Sequence, residues 1–455
     1  MSMLRLVFHG GVGEVGGNKV LLEAGRTRLW MDFGRSFTAG KGFFVNYLQP
    51  RRSAGLKDYL EFGLVPRVRG LYSRGLLEGT DLGYERPGFD GVLVSHAHWD
   101  HVGYLEFIDP EIPVHLGEGT LLILEAMEET SPFTRLGSHD YHTFRTGRVL
   151  EVGDCQVEPI HVDHSVPAAY GFLVHTDEGT VAYTGDLRAH GPRSDMTEDF
   201  VEAAAGAEPV AMVCEGTRLS RIGERRNLSE GEVLEGVRGV LAGASGRPVF
   251  FTQPSRDADR WRTFHTAAVE SGRVLVVHPR TAYLLDKLTL DPRLDLPDPL
   301  RDPHIRVYYK RKRSGTYDDR DYYLWERPYL SRIVTSEEVR SRPGDYLVNL
   351  DLYSFAELVD IKPEPGGHFI YSMSEPFNEE GLEEEVLHNW LDHFGLRYHQ
   401  LHASGHMGRE ELRELLDRVS PKAVYPVHTE APQAFRGLHP RVFLPRLGEP
   451  LEVTS

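Results

Sequence analysis

The chain has 455 residues, enough for two or three domains with a sizeable core. Its formal net charge of −17, from 51 basic and 68 acidic residues, excludes indiscriminate attachment to nucleic acid through a general basic face. Two cysteines, Cys155 and Cys214, both in apolar strand-like settings, exclude a disulfide framework, and no apolar run is long enough to span a bilayer, so no membrane partner is expected. The first eight residues read as a strand without the apolar centre and cleavage site of a signal peptide, which makes a cytoplasmic location the expectation. The glycine-rich run from Gly10 to Gly17 has the spacing of a dinucleotide-binding turn, but Lys19-Val20-Leu21-Leu22 after it reads as a strand, and a pyrophosphate site needs a helix there. A further apolar strand ends at Asp32.

The most informative stretch is Ser95-His96-Ala97-His98-Trp99-Asp100-His101, directly after the apolar strand Gly91–Val94. A helix is expected to open beyond it, near Tyr104. Imidazole and carboxylate together suit zinc or manganese. Four such ligands on one turn are too many for one small ion that keeps a position open for water. The natural reading is two adjacent metals, with His96 and His98 on one and Asp100 and His101 on the other. Downstream, His161-Val162-Asp163-His164 holds two more histidines, and the strand Val181-Ala182-Tyr183-Thr184-Gly185 ends in Asp186. The strand from Val210 ends at Glu215. Helices at 228–242 and 258–270 then alternate with strands at 248–252 and 274–277, the pattern of a parallel sheet flanked by helices. The segment from Arg306 to Trp325 interleaves cations with tyrosines, as single strands of nucleic acid require, although it equally suits a charged face over core aromatics. Amphipathic helices are expected at 384–394 and 410–419, flanking Leu401-His402-Ala403-Ser404-Gly405-His406, and a last apolar strand ends at His428.

In this order these motifs resemble those of the metallo-β-lactamase superfamily. The long interval between Asp186 and His428 resembles its β-CASP branch, and the text from His402 to His428, with the glycine-rich opening, is similar to the ribonuclease J family. The resemblance runs from near residue 5 to near residue 430. It implies an α/β fold: an αββα sandwich, residues 1–208 and 386–455, with an inserted β-CASP domain at 209–385. It implies a metal-ligand set of His96, His98, Asp100, His101, His164, Asp186 and His428, with Asp186 bridging and Asp32 bracing the ligand loop. The cofactors implied are two divalent ions, zinc foremost, with manganese or magnesium as alternatives. Asp100 and Asp186 would orient the attacking hydroxide, and His406 with Glu215 would serve the leaving oxygen. Ser404, Gly405 and His402 resemble part of a phosphate pocket, and Ser255 and Arg260 a phosphate-contacting turn, although Ser255 equally suits a helix N-cap. His278 is a further candidate, whereas His115, His161 and His265 read as ordinary packed or polar residues.

The activity implied is hydrolysis of single-stranded RNA, by 5′-to-3′ exonucleolysis, endonucleolytic cuts or both. Cleavage of DNA is the first alternative. A small-ester or lactone hydrolase using the insert as a lid is the second, and Glu215 with His406 counts against it. The oligomeric state stays open, a homodimer included. Three departures from the family stand out. Its C-terminal domain has no counterpart in the residues after His428, the segment 35–90 is longer than its equivalent, and 293–346 matches nothing in it.

Overall fold

The computed structural model describes residues 3–45, 47–220, 228–374 and 382–454. Three sheets organise them. The first has seven strands in the order Pro450–Glu452, Leu4–Gly10, Lys19–Ala24, Thr27–Met31, Gly91–Val94, Val114–Gly117 and Tyr141–Phe144. The second has six, ordered Val424–Val427, Ala211–Glu215, Gly179–Tyr183, Tyr170–Thr176, Cys155–His161 and Leu150–Val152. Alternation along the strands decides which faces meet. Leu4, Leu6 and Phe8 point into a core shared with Phe172, Val181, Tyr183, Val213 and Tyr425 of the second sheet. Val7, Trp30, Val92 and Val94 point the other way, under the helix Glu118–Thr130. On the far side of the second sheet, Leu173, Ala182, Met212 and Cys214 pack beneath the helices Ser194–Ala207 and Arg409–Val419. The layers are therefore helix, sheet, sheet, helix. Both cysteines are free and buried.

The glycine-rich run leads into the strand Lys19–Ala24, antiparallel to Leu4–Gly10, and carries no helix. The residues after His428 also have a structural role, since Pro450–Glu452 pairs with the first strand and completes the sheet edge. The helix expected from Tyr104 starts earlier: Trp99–Val102 is helical within the histidine motif itself, and Leu105–Phe107 is a separate tight turn. Among the described residues no helix is long and apolar enough to cross a membrane.

The third sheet is wholly parallel, in the order Ile333–Val334, Ile305–Tyr308, Val274–Val277, Tyr346–Asn349, Val249–Thr252, His368–Tyr371 and Arg397–Gln400. Apolar residues cover both faces, as parallel sheets require. Its helices Glu230–Gly243 and Ala258–Glu270 match the sequence pattern closely. Ala211–Glu215 pairs with Gly179–Tyr183 in the second sheet, and Arg397–Gln400 pairs with His368–Tyr371 in the third. A short strand near a junction does not reveal its sheet partner through its own composition.

Buried charges join the third sheet's helices to the sandwich. Arg188, from the sandwich, pairs with Asp163 at 2.9 Å and with Asp259 at 2.6 Å. Arg260 is fully buried and pairs with Glu230 at 2.7 Å, while its other donors reach Ser372 and the Ala403 carbonyl. Removing one member of such a group leaves its partner charged in a dry setting. Arg260→Ala is expected to destabilise the protein by about 3 kcal/mol, read as a lower denaturation midpoint. A change within 0.5 kcal/mol, the scale of an inert surface substitution, would show that the guanidinium is dispensable at this junction.

Candidate metal centre

Asp32, at the end of Thr27–Met31, is fully buried with φ +58°. It accepts hydrogen bonds from Ser95 N–H at 2.7 Å, Ser95 Oγ at 2.8 Å and Tyr183 Oη at 2.6 Å, and its Oδ2 lies 2.7 Å from His101 Nδ1. Since a carboxylate only accepts, His101 carries its hydrogen on Nδ1 and turns the lone pair of Nε2 inward. Because the Ser95 hydroxyl donates to Asp32, it accepts from His96 Nδ1, 2.9 Å away, so His96 also presents Nε2 inward. On the other side, Gly405 O lies 2.6 Å from His164 Nδ1, and a carbonyl only accepts. His428 is set by Thr217, whose hydroxyl donates to Glu215 Oε2 at 2.8 Å and accepts from His428 Nδ1 at 2.7 Å. Four of the five histidines are thus fixed with Nε2 directed to one place.

There the ligand atoms converge. His96 Nε2 lies 3.1 Å from His98 Nδ1, and His164 Nε2 lies 3.2 Å from the same atom. Asp186 Oδ2 is 3.6 Å from His96 Nε2, 3.2 Å from His101 Nε2 and 3.5 Å from His428 Nε2. Asp100 Oδ2 is 2.9 Å from His428 Nε2. Two four-membered groups result, His96/His98/His164/Asp186 and Asp100/His101/Asp186/His428, with the ligand atoms of each within 4.8 Å of one another and Asp186 common to both. The chemistry of these donors fits two divalent cations. Unpartnered buried atoms agree with that fit: among the described residues, His101 Nε2 and Asp186 Oδ1 have no hydrogen-bond partner.

Burial holds His96 and His164 well below the usual histidine range, and His98 down to about 3, which keeps them in the neutral form that ligates. For His101 and His428 burial acts the same way, but Asp186, with Asp100 beside it, outweighs burial and raises both. Close packing fixes the loops. A Cβ on Gly34 would fall 1.6 Å from the Asp100 carbonyl oxygen, and one on Gly405 would meet the His164 ring at 2.8 Å.

Beside this centre stands a third group, Glu215, His406 and His428. Glu215 is fully buried, and its Oε1 lies 3.3 Å from Nδ1 of the partly exposed His406. His406 Nδ1 is 3.9 Å from Asp186 Oδ2.

The remaining expected contacts divide. Ser404 and Gly405 flank the site, with Ser404 Oγ accepting the His406 N–H at 3.2 Å. His402 lies further back, against Arg260 and the Ser372 carbonyl. Ser255 is an exposed turn residue, and the N-cap of the next helix is Asp257. Arg260 faces the junction described above. The cation that reaches the ligand loop is instead Arg256, which donates to the Ala97 carbonyl at 2.8 Å. Nothing in the sequence distinguished it from its neighbour Ser255. His278 is half-buried at the start of the helix Pro279–Leu288. His161 packs against the tilted Tyr170 ring, and His115 stacks on His142. In the basic-aromatic segment, Tyr308, Tyr309, Tyr322 and Tyr329 are core residues, while Lys312 pairs with Glu326 at 2.8 Å and Arg311 with Glu337. A charged face over core aromatics describes this part of it, whereas Tyr323 is exposed.

Residues 68–213 match the family profile of a beta-lactamase superfamily domain, and residues 395–436 that of a Zn-dependent metallo-hydrolase RNA specificity domain. The chain is 27% identical to ribonuclease J of Sinorhizobium meliloti over 369 residues, covering 77% of this chain and 59% of that one. It is 21% identical to ribonuclease J 2 of Streptococcus pyogenes, covering 94% and 70%, and 26% identical to ribonuclease J of Thermus thermophilus, covering 74% and 57%. The chain thus spans little more than half to about two thirds of these relatives' length. A solved structure of a protein of unknown function from Enterococcus faecalis superposes with a TM-score of 0.79 at 22% identity, covering 99% of this chain and all of that one. Its likeness is one of fold. The first profile takes in the histidine motif, His164 and Asp186, and the second takes in His406 and His428; the chain carries a beta-lactamase superfamily domain and a metallo-hydrolase RNA specificity segment, and is similar to ribonuclease J.

Proposed function

We propose that this chain is a cytoplasmic metal-dependent ribonuclease that hydrolyses phosphodiester bonds of single-stranded RNA. One observation carries the reading: two converging donor sets share Asp186, and the Glu215–His406 pair stands directly beside them. The RNA specificity profile over 395–436 supports RNA as substrate. We read the sandwich as the catalytic core and the lobe built on the third sheet as an insertion between about residues 216 and 400, bordering the site through Arg256.

His96, His98 and His164 would hold one ion, Asp100, His101 and His428 the other, with Asp186 shared. Bound there, two divalent ions supply an activated water and positive charge against the scissile phosphate. The chain's residues do the rest. Asp32, Ser95, Thr217 and Gly405 keep the ligand lone pairs aimed inward, so little reorganisation is needed during reaction. Arg256 brings a fixed positive charge to the ligand loop. Glu215 holds His406 Nδ1, so that the opposite nitrogen is the one available to protonate the leaving 3′-oxygen. That oxygen is a poor leaving group, and a proton there lowers the barrier.

Protein prepared without chelators is expected to contain about two divalent ions per chain, with zinc predominating in elemental analysis and His101→Ala reducing the number. At most one ion after reconstitution would end the two-ion reading. The activity is tested with 5′-labelled single-stranded RNA, DNA of the same sequence and a chromogenic ester, each with zinc or manganese. RNA should be cut, and ester hydrolysis without RNA cleavage would replace the proposal with a small-molecule hydrolase.

For His406→Ala the expectation is unchanged metal content and an approximately hundredfold loss on RNA. An aryl phosphodiester, whose leaving group needs no proton, should lose much less. Equal losses on the two substrates would move His406 from proton donor to a binding or structural role.

A further inference from the structure

The residues after Asp186 form a strap across the turn that carries His406. The Leu187 carbonyl accepts the Met407 N–H at 2.9 Å. Three residues further, His190 Nε2 lies 2.9 Å from the Ser404 carbonyl and His190 Nδ1 lies 2.9 Å from Glu411 Oε1. The other oxygen of Glu411 accepts the Gly408 N–H at 2.7 Å. His406 is therefore bracketed: the chain is held at 404 on one side and at 407 and 408 on the other. A carbonyl only accepts, so His190 Nε2 carries a hydrogen. Between Nδ1 and the carboxylate one further hydrogen is needed, from either partner. Burial works to raise the Glu411 carboxyl, but the hydrogen bonds from His190 and the Gly408 N–H outweigh it and leave it below its ordinary value.

We propose that His190, backed by Glu411, is the positioning residue that fixes where His406 stands relative to the metal centre. The proposal rests on the ribonuclease reading above. His190 acts through the Ser404 carbonyl, and Ser404 Oγ in turn takes the His406 N–H at 3.2 Å. Without the imidazole, the turn keeps its links to Leu187, His164 and Arg260 but loses the one from His190 to the Ser404 carbonyl.

His190→Ala is expected to lower kcat on RNA about tenfold, less than the hundredfold cost of a large misplacement, with KM and metal content unchanged. In a His406→Ala background the same substitution should cost nothing more, because its effect passes through a side chain already absent. Glu411→Gln is the conservative control. Its amide oxygen can still accept from Gly408, its NH2 can donate to a neutral His190 Nδ1, and Nε2–H still meets Ser404. This variant should stay within about twofold of the parent, whereas Glu411→Ala should resemble His190→Ala. Losses that multiply in the double variant, loss of metal, or equal damage from Glu411→Gln and Glu411→Ala would overturn the proposal. A second readout is independent of turnover: in histidine-labelled protein, His190→Ala should shift the imidazole resonances of His406 and leave those of His115 and His142 in place. If the parent protein cleaves no RNA, the ribonuclease reading fails. The resonance then decides the placement alone, and an unmoved His406 signal refutes it.

Discussion

A single buried carboxylate, Asp32, ties the loop that carries His96 and His101 to the second sheet. Its two oxygens take Ser95 N–H, Ser95 Oγ, Tyr183 Oη and His101 Nδ1. Ser95 and His101 belong to the ligand loop of the first sheet, whereas Tyr183 belongs to a strand of the second, three residues before Asp186. One side chain therefore aligns the two sheets and sets the tautomer of His101, and through Ser95 that of His96. The backbone accepts φ +58° for a residue with a Cβ, a conformation that costs free energy and persists only where the surroundings determine it. Four charge-assisted or neutral hydrogen bonds in a dry setting are the compensation. Without the carboxylate, the inward aim of His101 and, through Ser95, of His96 would no longer be dictated.

From there the order spreads outward by shared hydrogen bonds. Thr217 repeats for His428 what Ser95 does for His96, with Glu215 in the part of Asp32. Glu215 thereby has two contacts: one oxygen sets His428, a candidate ligand, through Thr217, and the other faces His406. The proposed proton donor and the proposed metal site are coupled by construction, which is why a substitution at Glu215 would disturb both and His406 is the cleaner probe of chemistry.

The legible parts were those written in local pattern. The strand–ligand turn at Gly91–Val94, the strands that end at Asp186, Glu215 and His428, and the helix–strand alternation of the third sheet follow from periodicity and spacing. So does rejection of the glycine-rich run as a nucleotide site, because the strand after it was visible. What sequence hid depends on tertiary partners. Arg260 and Arg256 lie four residues apart on one turn and helix, and nothing local says that the first is consumed by Glu230 while the second reaches Ala97. Thr217 and His190 have no motif of their own and acquire meaning only from atoms 211 and 214 positions away. The same holds for the tyrosines near 308–329, whose aromatic–basic spacing suits a binding face until the third sheet covers them.

The charge balance gains a structural meaning from this arrangement. A chain of formal charge −17 repels a polyanion at long range, and two of the cations that spacing had suggested as a binding surface are paired, Lys312 with Glu326 and Arg311 with Glu337. Screening at physiological salt confines that repulsion to about 8 Å, so affinity for a phosphodiester has to be generated at the proposed metal centre itself. There the Arg256 guanidinium and two divalent ions would stand against Asp100 and Asp186, and dry surroundings strengthen each contact relative to one on the surface. Selection for a phosphate would then come from the same side chains that would hold the ions.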